Sequence, residues 1–110
     1  MINLYLDDVR TPPIGYVLAK TVEEAIDIIE NNQIDRLSLD HDLGEDEFGE
    51  IRKTGYDLVK YICEHRIAAN AIFLHTSNPV GRDNMYETLV AAQRRGLISD
   101  RMIISRYPAR

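Results

Sequence analysis

The sequence has one cysteine, Cys63, and no tryptophan. A single thiol cannot close an internal disulfide, so nothing points to an oxidising compartment. No apolar run approaches the ~20 residues needed to span a bilayer. The opening MINLYLDD has no basic flank and no small-residue cleavage site, which argues against a signal peptide. The expected location is the cytoplasm, with no membrane partner. Basic residues are also few: 13 Lys and Arg face 18 Asp and Glu, for a formal charge of −5. Backbone binding to nucleic acid needs a basic face, so no broad nucleic-acid surface is expected. No feature defines an oligomeric state.

The 110 residues, 45% of them hydrophobic, suit one globular domain spanning residues 1–110. Five short apolar runs stand out: Ile2–Leu6, Tyr16–Ala19, Arg36–Leu39, Ala71–Leu74 and Met102–Ile104. They are mostly continuous, as in strands buried on both faces. Three helical patterns separate them. Over Thr21–Asn31, Val22, Ala25, Ile26 and Ile29 form one apolar face, and Thr21 with Glu24 has capping-box spacing. Over Gly55–His65 the face is Leu58, Val59 and Ile62, with Thr54 and Asp57 as caps. Over Met85–Arg95 it is Met85, Leu89 and Ala92, with Asn84 and Glu87 as caps and Gly96 at C′. Alternation of this kind predicts a three-layer α/β domain with a mainly parallel five-stranded sheet. The first connection, Asp7–Gly15, contains Pro12 and Pro13 and reads as a loop in place of a helix. The acidic segment Gly44–Thr54 reads as a solvated insertion, with a lid as the functional alternative.

Ligands of open α/β sheets bind beyond the carboxyl ends of the strands. The residues there are polar and titratable. Asp7, Asp8 and Arg10 follow the first strand, and Asp40, His41 and Asp42 the third. His75, Thr76, Ser77 and Asn78 follow the fourth, and Ser105, Arg106 and Tyr107 the fifth. Packed carboxylates repel one another, and a divalent cation relieves that repulsion. A lone Asp-Asp would be a solvated turn. A second acidic run on the same rim favours a metal or phosphate site. Oxygen donors from Asp7, Asp8 and Asp40 suit Mg2+ or Mn2+.

A strand ending in Asp7-Asp8, a central strand ending in Asp40 and a fourth ending before Thr76 resemble the receiver domain of two-component signalling. The fold this implies is flavodoxin- or receiver-like, with Asp40 as phosphoacceptor and Thr76 as switch hydroxyl. The receiver lysine is absent; Ser105-Arg106-Tyr107-Pro108 stands in its place. The strings Asp40-His41-Asp42-Leu43-Gly44 and His75-Thr76-Ser77-Asn78-Pro79-Val80-Gly81 are longer and more distinctive. With Leu6-Asp7-Asp8-Val9-Arg10, they resemble a divergent receiver-like family that processes cyclic phosphates.

The chemistry is coherent with that resemblance. Asp8 and Asp40 would hold the cation, with Asp7 supporting them. His41 or His75, titrating near neutrality, would serve as general acid or base beside Asp40. Thr76, Ser77, Asn78, Arg82 and Arg106 would hold phosphate oxygens, Arg82 near a helix N-terminus. The blander readings are a hydrogen-bonded structural His75, a turn at Asn78-Pro79, and Arg10 and Arg106 as partners of the carboxylates. Cys63 reads as packing. A two-histidine phosphoesterase needs a second His-x-Thr/Ser box, which the chain lacks. The expected function is metal-dependent binding and hydrolysis of a small phosphorylated ligand of the cyclic-nucleotide type. The alternatives are a non-catalytic nucleotide or protein sensor, and a module phosphorylated on Asp40.

Overall fold

The computed structural model describes residues 1–109. Strands β1 (Ile2–Leu6), β2 (Tyr16–Ala19), β3 (Ile34–Leu39), β4 (Ala71–Leu74) and β5 (Ile103–Ser105) form one sheet. Its order is β2-β1-β3-β4-β5, and every pairing is parallel. Helices α1 (Val22–Asn31), α2 (Gly55–Glu64) and α3 (Pro79–Arg94) connect β2 to β3, β3 to β4 and β4 to β5. No helix among the described residues is long and apolar enough to cross a membrane.

α1 starts where its capping pattern predicts. The Thr21 hydroxyl accepts the Glu24 amide at 3.1 Å, and the Glu24 carboxylate accepts the Lys20 amide at 2.7 Å. In α2, Asp57 accepts the Thr54 amide at 2.7 Å. α3 departs from expectation by beginning at Pro79, six residues before Met85. The reason is local. Proline is pre-set for the first helical turn, and the Asn78 side chain accepts the Gly81 amide at 3.0 Å. Asn84 is therefore inside the helix, not its cap.

The three helical crossovers all step the same way across the sheet. Right-handed crossovers in one direction put their helices on one face. That face carries Leu4, Leu6, Leu37, Leu39, Ile72 and Leu74, all fully buried. They pack with Val22, Ala25 and Ile29 of α1, Leu58, Val59 and Ile62 of α2, and Met85, Leu89 and Ala92 of α3. The only step in the other direction is β1 to β2, and there the Pro12-Pro13 loop replaces a helix. It crosses directly to an adjacent parallel strand. The layer on the second face is thus built of loop. Arg10 and Pro13 meet Pro108 and Ala109 around a cavity of about 150 Å3 that is floored by Tyr5, Ser38 and His75. Elsewhere this face is partly open, with Arg36 6.0 Å above the Phe73 ring.

Candidate functional site

Register assembles the site. Leu6 pairs with Leu39, and Leu39 with Leu74, so the next residues on three neighbouring strands are Asp7, Asp40 and His75. Backbone bonds extend the ladder past the strand ends: the Asp40 amide donates to Leu6 O and the His75 amide to Leu39 O, both at 3.0 Å. Side chains alternate along a strand. The leucines point at the helices, so the three polar residues point to the helix-free face, beside Tyr5 and Ser38.

Asp7 is buried and saturated with donors. Its Oδ1 accepts the amides of Val9 and Arg10 at 2.8 and 2.9 Å. Its Oδ2 accepts Arg10 Nη1 and His75 Nε2, each at 2.9 Å. Arg10 Nη1 also lies 3.4 Å from Asp40 Oδ2, so one guanidinium spans both carboxylates. Asp40 Oδ1 accepts the His41 amide at 2.8 Å. Behind the cluster, the His75 ring stacks on Tyr5 with centroids 4.2 Å apart and planes 2° off parallel. Its Nδ1 is 2.7 Å from Ser38 Oγ.

The electrostatics separate the two aspartates. Burial pushes the Asp7 carboxyl up, but the Arg10 and Val9 amides, the Arg10 guanidinium and His75 outweigh it and hold it below its ordinary value. Burial wins at Asp40 and raises its carboxyl, with the Asp7 charge adding to the rise. Burial also lowers His75, over the attraction of Asp7. With the folded value below the ordinary 6.5, the unfolded chain binds the His75 proton more readily. Stability should therefore fall as pH drops below 6.5, and His75→Gln should flatten that part of the slope. Denaturation midpoints across this range check it.

The outer rim is a second hydrogen-bonded group. His41 Nδ1 is 3.0 Å from Asp42 Oδ1, and Asn78 Nδ2 donates to Asp42 Oδ2 at 3.2 Å. The bond to His41 holds the Asp42 carboxyl below its usual range. The His41 ring lies against the first turn of α3. A methyl group at Gly81 would come within 2.5 Å of its ring carbons. Gly81→Ala should displace His41 while leaving α3 intact, visible as a large chemical-shift change of the His41 ring with helical content unchanged.

The other expected residues spread out along the rim. The donors that come within 4.8 Å of one another among the described residues are Asp7, Asp40 and His75. Asp8 is not one of them; its carboxylate instead faces Gly44, where a methyl would meet Oδ2 at 2.8 Å. Ser77 is exposed, and Thr76 Oγ1 accepts the Asn78 amide at 3.1 Å. Arg82 donates to the Thr76 carbonyl and lies over the Tyr107 ring, while its Nε has no partner. Arg106 stacks on Tyr86 at 4.2 Å. Ser38 was not a candidate, since a serine inside an apolar run carries no motif. The strand period alone would have put it on the side of Asp40.

Two carboxylates and an imidazole at this spacing form a fitting donor set for a divalent cation. The imidazole nitrogen favours Mn2+ over Mg2+, which prefers oxygens alone. Arg10, whose side chain is 42% exposed, would have to swing out to admit it.

A parallel sheet with acidic residues at the ends of β1 and β3 and a hydroxyl after β4 defines a receiver-type domain. The chain belongs to the cyclic-phosphate processing receiver domain family, whose model matches residues 2–91. That span includes Asp7, Asp40, His41 and His75 and stops short of β5 and Arg106. No curated protein and no solved structure matches the chain.

Proposed function

We propose that this pocket binds a cyclic phosphate of the nucleotide type and opens its ring by hydrolysis, with a divalent cation held by Asp7, Asp40 and His75. The observation that carries the reading is the convergence of these three donors with Arg10 at the carboxyl edge of the sheet. The family description supplies the substrate class. When bound, the cation would neutralise charge on the phosphate oxygens and activate water. Arg10, released from the carboxylates, is the nearest cation for a non-bridging oxygen.

The two histidines divide the work. Both nitrogens of His75 are engaged, by Asp7 and by Ser38. That suits a ring held in place by its neighbours better than a proton carrier. His41 has only Nδ1 tied, to Asp42, with Asn78 at 3.5 Å. Among the described residues no group bonds its Nε2. His41 is therefore the better general base toward water and the better acid toward the leaving oxygen, with Asp42 orienting the ring. Water oxygen bonds phosphorus, the ring P–O bond breaks, and the proton taken from water goes to the released oxygen.

The test is turnover of a 2′,3′-cyclic nucleotide by purified protein with Mn2+. His41→Ala should lose roughly 10²-fold or more in rate, the usual range for a general acid or base, while keeping the fold. Tight binding without turnover would leave a nucleotide sensor instead. Phosphorylation of Asp40 is less favoured. Burial raises its carboxyl, Arg10 covers it, and no lysine follows β5. Acetyl phosphate labelling that vanishes in Asp40→Asn would reverse that order.

A further inference from the structure

We infer that Ser38 is a positioning residue for the cation site, acting through His75 as a hydrogen-bond partner able to serve both tautomers of the ring. The inference rests on the cation reading above and adds a residue and a switch to it.

The proton positions follow from the donors around Asp7. Two backbone amides and a guanidinium already point at its carboxylate, so Asp7 is an acceptor only. The 2.9 Å contact with His75 Nε2 therefore needs a hydrogen on that nitrogen. With a single ring hydrogen, held on Nε2, Nδ1 is bare and the Ser38 hydroxyl is the donor across the 2.7 Å contact. In this state His75 cannot offer Nε2 to a metal ion.

A cation at Asp7 and Asp40 demands the other tautomer. The ring proton moves to Nδ1, and Ser38 must become the acceptor. A hydroxyl does both by rotating, since it carries one hydrogen and two lone pairs. The rotated hydrogen needs somewhere to go. Tyr16, whose buried hydroxyl oxygen has no partner, lines the same cavity as Ser38. Tyr5 meanwhile holds the ring plane by stacking, so Nε2 keeps its aim at the aspartates in either state. A partner that could only donate, or only accept, would lock the ring in one tautomer.

Metal-ligating histidines commonly rely on such an outer partner, and its loss typically weakens metal affinity by about 10–100-fold. Mn2+ affinity would be measured by electron paramagnetic resonance for wild type, Ser38→Ala and Ser38→Thr. The expected result is a loss of that size in Ser38→Ala and recovery in Ser38→Thr, which keeps the hydroxyl. In parallel, ring 15N spectra of the wild-type protein would be recorded without metal and with Zn2+ as a diamagnetic probe. The hydrogen should sit on Nε2 without metal and on Nδ1 with Zn2+. If wild type binds neither ion, the cation reading fails and takes this inference with it. If wild type binds but Ser38→Ala binds equally well, the cation reading stands and the role of Ser38 is overturned. A metal-free wild-type ring already protonated on Nδ1 overturns it too, whether or not Ser38→Ala folds.

Discussion

Gly55→Ala should destabilise the domain by about 3 kcal/mol or more, at or beyond the upper end of ordinary overpacking. The opposing effect is small, because alanine in a helix gains only about 1 kcal/mol over glycine. The steric term is larger because of what the methyl meets. An added Cβ would lie 1.9 Å from the Asp40 carbonyl oxygen and 3.1 Å from Met85 Sδ. A flexible side chain could yield, but the carbonyl is main chain at the end of β3. Its neighbour His41 also bonds the Gly55 amide, at 2.8 Å. Pushing α2 away would open the layer where Leu58, Val59 and Ile62 meet the sheet. It would also move Asp40, whose carbonyl is the group the methyl meets. Thermal melting should show a drop of roughly 10 °C or more for a domain of this size. A melting point unchanged within a degree would mean that α2 and β3 do not approach this closely.

The same glycine shows what a sequence of this kind reveals. Its place at the start of α2 was readable from the Thr54–Asp57 spacing, because capping is a local event. The parallel sheet was readable for a similar reason. Continuous apolar runs separated by helical patterns leave few other arrangements. The start of α3 was missed because Asn78-Pro79 serves equally well as a turn and as a helix N-cap followed by proline. Only the course of the chain after Pro79 distinguishes them.

The grouping of the site was less legible, because it depends on strand order. Asp7 and Asp8 are equivalent as text. The pairing of β1 with β3, and of β3 with β4, brings Asp7 and His75 to either side of Asp40, while Asp8 turns toward Gly44. The helix-free face is also a property of strand order, since it follows from three crossovers stepping the same way. That face explains two residues with no motif of their own. Ser38 and Tyr5 sit on the strand side opposite the helices, where a polar or aromatic side chain can reach His75. Arg10 was seen only as a partner of carboxylates. Its span across both Asp7 and Asp40 makes it their shared counter-charge.

Asp7→Ala should cost about 3 kcal/mol at neutral pH, reckoned from one buried and three part-buried donors losing their acceptor, at roughly 1–3 kcal/mol for a donor that water cannot reach. Four donors lose their acceptor: two amides, the Arg10 guanidinium and His75 Nε2. Arg10 is half-exposed and can turn to water, so the loss stays below that of a fully stranded charge. The imidazole, buried and stacked on Tyr5, cannot turn away, and the two part-buried amides lose the acceptor that fixes their turn. Asp7→Asn should cost less, about 1 kcal/mol, because its carbonyl still accepts the amides and its NH2 can donate to His75. That donation needs a bare Nε2, so the ring must move its hydrogen to Nδ1 and reverse its bond with Ser38. Asp7→Asn should therefore show, without any metal, the Nδ1-protonated tautomer proposed above for a cation-bound ring. The pH dependence has a definite sign. The folded Asp7 carboxyl titrates below its ordinary 3.8, so its contribution is present above that value and lost as pH falls further. The gap between wild type and Asp7→Ala should narrow in acid. Urea unfolding at neutral and acid pH, with equal m-values, measures both gaps. A difference under about 1 kcal/mol at neutral pH would show that Asp7 does not hold this rim together.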